Sequence, residues 1–371
     1  MIKSGKIFYE LCLIPTERCN LSCRYCFVDK SKAKSMTFST ACEQIDMMMN
    51  APEDFAGYEV SFMGGEPFLK FDLIRDIIDY ACNKYGENRI HFSVVTNGTL
   101  VHDDIQDWIR DNQHKIHVTL SIDGSRETHN AQRSNSFDKI DLDFFASLKK
   151  PVANMVITPE SLEHLSDNVR FLEGKGFYVK TFLEEGVRWE KTHLPILAEQ
   201  LMMLINHYLY NPDLLPTTLL ANSLYLLLDD NLPSACSMEA YSYAVSADGM
   251  RYDCHRCMPF ESNPLMPIPK EYLNNFRHVR HISPACDSCF IDYLCNSCPA
   301  SNATRIRNKE LAENYCLQRK LLYRAQAYFL LKAFENDSNG RIFRRMSADR
   351  LKKTISASKR ILQEIDSTKA F

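Results

Sequence analysis

The stretch "FYELCLIPTERCNLSCRYC" (residues 8–26) joins a strand-like run to three closely spaced cysteines. Its first seven residues are mostly aromatic and aliphatic, a composition typical of a buried β-strand. Cys19, Cys23 and Cys26 follow, with three and then two residues between them. The sequence therefore predicts a loop of three thiols directly after the first strand.

The pattern of a strand followed by a helix continues through the first half of the chain. Further strands are predicted at 58–63, 90–96, 116–122, 152–157 and 178–183. The helices between them are predicted at 38–49, 71–84, 102–113, 138–148 and 161–173. Six consecutive β/α units imply an α/β fold with a parallel sheet, because each parallel connection needs a crossover. The alternation alone leaves open whether the sheet stays flat or curls into a barrel.

The texture of the sequence predicts four regions. They are a β/α region at 1–186, a helical connector at 187–232, a Cys-rich domain at 233–316, and C-terminal helices with a basic tail at 317–371. The third region has little periodicity, which favours a small domain held by metal rather than by apolar burial. The basic tail fits a solvated surface or a binding site for part of a substrate.

Composition excludes several classes of protein. The 371 residues are 45% hydrophobic and carry a net charge of −3, so we expect a globular protein and no nucleic-acid partner. No apolar run reaches the roughly 20 residues that span a bilayer, and no signal peptide is evident. We therefore expect a cytoplasmic location and no membrane partner. In that setting, the grouping of the 14 cysteines favours metal ligation over disulfides.

Four polar motifs fall at the ends of four predicted strands. The cysteine loop follows the first strand, and GGEP (64–67), TNG (96–98) and SIDG (121–124) follow the next three. Parallel α/β folds place their sites at the carboxyl ends of their strands. The sequence therefore predicts that these motifs meet in one pocket.

Three thiolates suit an iron–sulfur cluster with one open iron better than a closed zinc site, which takes four protein ligands. A zinc site completed by a distant residue, or free thiols, is the alternative. An open iron is able to bind a substrate or a cofactor.

The C-x3-C-x2-C motif and the following GGEP resemble those of the radical S-adenosylmethionine (SAM) superfamily. The resemblance implies a partial (β/α)6 barrel with a 4Fe–4S cluster on Cys19, Cys23 and Cys26, and SAM bound at its open iron. It also implies reductive cleavage of SAM to a 5′-deoxyadenosyl radical that abstracts a substrate hydrogen. The electron would come from an external donor of the flavodoxin or ferredoxin type.

The resemblance further implies cofactor-binding roles for Tyr25, Phe27, Gly64, Gly65, Glu66, Asn97, Ser121 and Arg133. The two aromatic residues would lie near adenine, and the GGE segment would bind the amino group of SAM. The serine and the arginine would hold the SAM carboxylate. Asn97 fits a turn residue equally well, as Asp123 fits a strand end.

Eight further cysteines form two sets of four that resemble the SPASM extension of this superfamily, which carries two auxiliary 4Fe–4S clusters. The resemblance assigns Cys286, Cys289, Cys295 and Cys316 to one cluster, and Cys236, Cys254 and Cys298 to the other, with Cys257 as its fourth ligand. The spacing between Cys295 and Cys298 is two residues, where the extension usually has three. Two zinc sites are the alternative.

The members of the superfamily that this chain resembles mostly modify peptides or proteins. We expect a maturase that installs a thioether or other crosslink in a ribosomally synthesised peptide. A formylglycine-forming sulfatase maturase is the second candidate, although such enzymes have an Asp where this chain has His255, a residue able to take a proton near neutral pH. A non-enzymatic zinc or Fe–S binding module is the alternative from another class.

Many peptide-modifying relatives begin with a winged-helix domain that binds the leader of the substrate. The stretch before Cys19 has no room for one. We therefore expect leader binding by a separate leader-recognition protein, by the barrel, or by the basic tail.

Overall fold

The computed structural model describes residues 8–28, 34–51, 55–185, 187–220, 224, 242–258, 281–292, 294–295, 298, 301–302, 305, 308–337, 340–344 and 346–367. The chain divides into two compact units. The first unit comprises Met1–Asn154, Gly174–Phe177 and Cys236–Pro267, and the second comprises Met155–Glu173, Tyr178–Ala235 and Ile268–Phe371. The predicted boundaries after residues 186, 232 and 316 stay predictions.

Eight strands form one sheet. They are β1 (Phe8–Thr16), β2 (Gly57–Gly64), β3 (Ile90–Thr96), β4 (Ile116–Ser121), β5 (Val152–Ile157), β6 (Tyr178–Leu183), β7 (Ser242–Val245) and β8 (Arg251–Tyr252). The order across the sheet is β6-β5-β4-β3-β2-β1-β7-β8. Strands β1 to β5 pair in parallel, β7 pairs in parallel with β1, and β8 is antiparallel to β7. The predicted α/β fold with an unclosed, partial barrel is confirmed.

Nine α-helices accompany these strands among the described residues. They are α1 (Phe38–Met49), α2 (Phe71–Tyr85), α3 (Asp103–Asn112), α4 (Arg126–Gln132), α5 (Leu142–Ala146), α6 (Leu165–Gly174), α7 (His193–Tyr210), α8 (Lys309–Asn336) and α9 (Ala348–Ser367). None of them is long and apolar enough to cross a bilayer.

Local capping explains where several helices differ from prediction. The helix predicted at 138–148 starts only at Leu142, because the Asp141 side chain accepts a hydrogen bond from the Phe144 N–H. The C-terminal helices, predicted from residue 317, begin eight residues earlier, at Lys309, where the Asn308 side chain caps the Leu311 N–H.

Alternation along the strands gives the sheet two different faces. In β2, Val60 and Phe62 are fully buried, whereas Glu59, Ser61 and Met63 between them are only half-buried. Successive side chains of a strand point to opposite faces, so one face of the sheet belongs to the core and the other is partly open and polar. The open face leads to the strand ends that carry the predicted site.

In the second unit, α8 and α9 share an apolar core with the cysteine-bearing segment. Its buried members include Ile291, Leu294, Tyr323, Ala327, Leu330, Ala357, Ile361 and Ile365. Packing of Ile291 and Leu294 into this core anchors the turns that carry the cysteines between residues 286 and 295. Apolar contacts therefore hold this cysteine segment, although the sequence favoured metal over apolar burial there.

Candidate functional site

The cysteine loop starts against the end of β2, with no space between the two backbones. The Gly65 N–H donates to the Thr16 carbonyl at 3.0 Å, and the Glu66 N–H donates to the Arg18 carbonyl at 2.8 Å. A Cβ atom on Gly65 would lie 1.9 Å from the Arg18 carbonyl oxygen. Gly64 has a φ of +136°, which favours glycine. The two glycines therefore permit a close backbone approach to the loop that carries the cysteines.

The Glu66 carboxylate joins the ends of β2 and β3. Its Oε1 accepts from the Thr96 hydroxyl at 2.7 Å and from the Phe68 N–H at 3.1 Å, and its Oε2 accepts from the Asn97 N–H at 2.8 Å. The residue is 1% exposed, and burial raises its pKa to about 6. Three of the roughly four acceptor positions of the carboxylate are thus used, and its contact with the SAM amino group stays a prediction.

A cluster of amides and a hydroxyl surrounds the first cysteine. The Asn97 Nδ2 donates to Asn20 Oδ1 at 2.9 Å and lies 3.9 Å from the Cys19 sulfur. Asn97 Oδ1 accepts from the Thr99 N–H and hydroxyl, and Asn20 Nδ2 donates to the same hydroxyl at 2.7 Å. The Leu21 N–H also points at the Cys19 sulfur, at 3.4 Å. The end of β3 therefore holds Cys19 in place.

A buried ion pair holds the other end of the loop. The Arg133 guanidinium donates to both oxygens of Asp123, at 2.7 and 3.2 Å, and these side chains are 7% and 0% exposed. The Tyr25 hydroxyl donates to Asp123 at 2.6 Å, and its ring centroid lies 5.1 Å from the guanidinium carbon. Burial raises the pKa of the Cys23 thiol, and the charge of Arg133 partly offsets this effect. Tyr25 and Arg133 thus position the loop, and their predicted contacts with SAM stay predictions.

A neutral histidine supports this ion pair from behind. The Asp123 N–H donates to Nδ1 of His129 at 3.4 Å. The Nε2–H of His129 donates to the Ser136 hydroxyl at 2.9 Å, because that hydroxyl itself donates to the Arg133 carbonyl at 2.6 Å. Burial, with the charge of Arg133, lowers the pKa of His129 to about 4. The ring is therefore neutral at pH 7 and fixed in one tautomer.

The residue before Arg133 offers an unpaired amide beside the loop. The Gln132 carbonyl accepts from the Arg24 N–H at 2.9 Å. The side chain of Gln132 is 4% exposed, and neither its Nε2 nor its Oε1 has a hydrogen-bond partner among the described residues. Leaving both atoms unpaired is costly. Together with three thiols on one loop, this amide fits a site completed by a bound polar cofactor such as SAM.

The segment after β8 approaches the third cysteine's neighbour. The His255 ring centroid lies 6.2 Å from the Phe27 ring centroid, and the Arg256 guanidinium carbon lies 5.0 Å from the same Phe27 centroid. His255 Nδ1 is 3.7 Å from the Cys254 sulfur. Burial lowers the pKa of His255 to about 4, so its ring is neutral at pH 7 and a weaker base than the sequence suggested. Its role as proton acceptor stays a prediction, as does the role of Phe27 near adenine.

In the second unit, four of the predicted ligands surround one cavity. The cavity is lined by Ile282, Cys286, Cys289, Ile291, Asp292, Cys295, Tyr315, Cys316 and Arg319. Burial raises the pKa of the Cys295 thiol to about 11. These four cysteines are the set that the resemblance assigned to one auxiliary cluster.

The other predicted set is described only in part. Cys236 and the side chain of Cys257 lie outside the described residues. Cys254 is half-buried in the first unit and Cys298 is half-buried in the second. Among the described residues, no three His, Cys, Asp or Glu side chains converge as ligands of a single metal ion.

Ser121 ends β4, where it is paired in register with Asn154, and its contact with the SAM carboxylate stays a prediction.

Sequence reasoning missed the residues that support these sites. They are Asn20, Thr99, His129, Gln132, Tyr315 and Arg319. A signal existed for the last of them, because a helix that begins before Cys316 places Arg319 on the same face, one turn further on. The others depend on contacts between distant segments, which no local pattern reveals.

Comparisons with known proteins agree with this arrangement. Residues 13–172 match the model of the radical SAM superfamily. An uncharacterised protein of Methanocaldococcus jannaschii is 38% identical over 115 residues, which are 31% of this chain and 38% of that protein. A cysteine-type anaerobic sulfatase-maturating enzyme of Clostridium perfringens is 27% identical over 184 residues, which are 44% of this chain and 48% of that enzyme.

A solved structure described as native anSMEcpe with bound AdoMet and Cp18Cys peptide has a TM-score of 0.68 and 19% identity, and the match covers 88% of this chain and 100% of that one. The chain matches only 36% to 50% of the length of the curated relatives. The resemblance predicted from the cysteine and glycine motifs is confirmed.

The close approach at Gly65 leads to a first prediction. Gly65→Ala should push the cysteine loop away from β2, lower the iron bound after anaerobic reconstitution, and destabilise the fold by about 1–3 kcal/mol. Gly174→Ala adds the same methyl group where nothing lies within 4 Å, so iron content and the urea midpoint should stay at wild-type values. Equal iron content in both variants would show that the contact does not position the loop.

The neutral His129 leads to a pH-dependent prediction. Its folded pKa of about 4 lies below the ordinary value of 6.5, so the unfolded chain binds the additional proton between these pH values. Stability should therefore fall as the pH drops from 6.5 towards 4, by up to about 3 kcal/mol from this group. Urea midpoints of wild type and His129→Gln, measured anaerobically from pH 7.5 to 5, should converge towards low pH. Parallel profiles would contradict the assignment.

Proposed function

We propose that this chain, which carries a radical SAM domain over residues 13–172, is a peptide or protein maturase that abstracts a hydrogen atom from its substrate and installs a thioether or other crosslink. The observation that supports it best is the cysteine loop itself. Glu66, Asn97 and Asp123, from the ends of three consecutive strands, all hold or abut this loop. A loop fixed so firmly suits a reactive centre.

Cys19, Cys23 and Cys26 would hold a 4Fe–4S cluster, leaving one iron for the amino and carboxylate groups of SAM. When bound, this pair supplies a one-electron reductive cleavage of SAM and the hydrogen abstraction that follows. The electron would come from a flavodoxin- or ferredoxin-type protein. A closed, structural zinc site would need a fourth protein ligand, and three cysteines are what the loop offers.

The residues of the chain would orient the cofactor rather than react with it. Arg133 uses two of its five N–H groups on Asp123, which leaves donors for a carboxylate in the fork geometry that guanidinium groups favour. Asp123 keeps this charge fixed in a buried position. Gln132 offers an amide donor and an amide acceptor from the same helix end.

A peptide substrate is part of the proposal. The solved structure of similar fold holds a peptide together with AdoMet. The polar, half-buried face of the sheet, with Glu59 and Ser61, leads towards the proposed SAM site and would accept a polar chain. A leader segment of the substrate would be bound by a separate leader-recognition protein or by the basic tail.

Formylglycine formation is the second candidate. The similarity to the sulfatase-maturating enzyme of Clostridium perfringens favours it. His255 lies next to the aromatic ring that follows the third cysteine, at the position where such enzymes have an Asp, and it lacks the carboxylate of that residue. The crosslinking maturase is therefore the first choice.

The site assignment is tested by replacing Cys19, Cys23 and Cys26 together with Ala. The variant should lose all reductant-dependent formation of 5′-deoxyadenosine from SAM and keep the iron of the second unit, because the two sets of cysteines are separate. Iron analysis and chromatography of the products measure both. Persisting SAM cleavage in the variant would refute the site, and a wild-type protein with zinc and no cleavage would support a binding module.

The product is tested by mass spectrometry of candidate peptides after reaction with SAM and reductant. A loss of two hydrogens together with a cysteine that no longer alkylates is expected for a thioether. A carbonyl that reacts with hydrazides would instead support formylglycine. An unmodified mass with one inverted residue would contradict both candidates.

A further inference from the structure

We propose that Arg319 and Tyr315 act on an iron–sulfur cluster held by Cys286, Cys289, Cys295 and Cys316 and raise its reduction potential. Both residues line the cavity between these cysteines. The inference concerns the second unit, rests on the proposed iron–sulfur chemistry of the chain, and goes beyond it by assigning two residues that no motif includes.

Arg319 brings a permanent positive charge to the cavity wall. Its Nε atom is buried and has no hydrogen-bond partner among the described residues. One Nη atom donates to the Tyr323 hydroxyl at 2.9 Å, and the Tyr323 hydroxyl donates onward to the Leu294 carbonyl. The guanidinium is thus fixed from one side and offers its remaining N–H groups to the cavity. An unpaired buried N–H of this kind is costly unless a bound acceptor completes it.

Tyr315 offers a second unpaired donor. Its side chain is 7% exposed, and its hydroxyl has no hydrogen-bond partner among the described residues. Its ring is fixed by the Arg305 guanidinium, whose carbon lies 3.6 Å from the ring centroid, and Arg305 is in turn paired with Glu185.

The space between the cysteines favours a cluster over a single zinc ion. Zinc would draw four sulfur atoms to about 2.3 Å from one point and leave no room between them. Here the four thiols line one cavity together with Ile282 and Ile291, and among the described residues no three His, Cys, Asp or Glu side chains converge as ligands of a single ion. A group with several acceptor sulfurs would fill this space and pair with both orphaned donors.

The direction of the effect follows from charge. A 4Fe–4S core with four thiolates is an anion, and reduction adds one more negative charge. A neighbouring positive charge and hydrogen bonds to sulfur stabilise the reduced form more than the oxidised form, and so raise the potential. Replacing either residue by a side chain that lacks the charge or the hydroxyl should therefore lower it.

The experiment is a redox titration followed by electron paramagnetic resonance. It uses the full chain with Cys19, Cys23 and Cys26 replaced by Ala, so that signals come from the auxiliary sites and no SAM turnover is needed. In this background, Arg319→Gln and Tyr315→Phe should each shift the midpoint of one signal to more negative potential, Arg319→Gln by more. Arg319→Lys should stay nearer to the parent.

Matched controls come from the same helix. Arg324→Gln and Tyr328→Phe make the same chemical changes on α8 at positions that do not line the cavity. Both should leave the midpoint of the parent unchanged, because they alter neither the charge nor the hydrogen bonds at the four cysteines.

The outcomes separate this inference from the proposed function. An unchanged midpoint in both Arg319→Gln and Tyr315→Phe overturns the inference, while SAM cleavage by the wild type stands or falls by itself. Zinc without reducible iron at these cysteines also overturns it. Arg319→Gln could lose its cluster altogether. In that case, a cluster retained in Arg319→Lys with a midpoint near the parent's supports the role of charge. If both Arg319 variants lose the cluster and the midpoint of Tyr315→Phe is unshifted, the inference is overturned.

Discussion

The contact between the backbones at Gly65 and Arg18 is the constraint on which the candidate site depends. It brings the end of β2 against the loop after β1 at a separation that no side chain permits. Once these two backbone segments are in contact, the N–H of Glu66 reaches the cysteine loop and its carboxylate reaches the end of β3. The contacts of Glu66 therefore depend on the close approach at Gly65. The loop that carries the three thiols is thereby held in one position.

The two ends of the loop are held by different physics. Around Cys19 the contacts are neutral amides and a hydroxyl, which orient the start of the loop without burying a charge. Around Cys23 the contact is a buried ion pair, Asp123 with Arg133, which tolerates no loss of one partner. In the proposed SAM site, the neutral end would add no charge next to the cluster. The charged end would offer a carboxylate ligand a cation that is already held in place and has unused donors.

Much of the fold was predictable because its signals are local. The bounds of β3, β5 and β6 follow directly from runs of β-branched and aromatic residues between turns. Strand β7 was missed, since its four residues are a strand only by pairing with β1, more than two hundred residues away. Helix α4 was missed because "RETHNAQ" has no apolar stripe. In the site, Tyr25 and Arg133 were found from motifs, but the hydrogen bond between Tyr25 and Asp123 was not. These two residues are 98 positions apart, and such distant pairing has no local code.

The pairing of β7 with β1 also bears on how the chain is divided into parts. Glu10 to Leu13 would present an unpaired edge if the chain were cut after the sixth strand, at the boundary predicted after residue 186. Exposed strand edges invite association with other chains. Strand β7 therefore covers the edge that β1 would otherwise expose. Cutting the chain into two halves at this boundary would leave the first half with an exposed strand edge and prone to association with other chains.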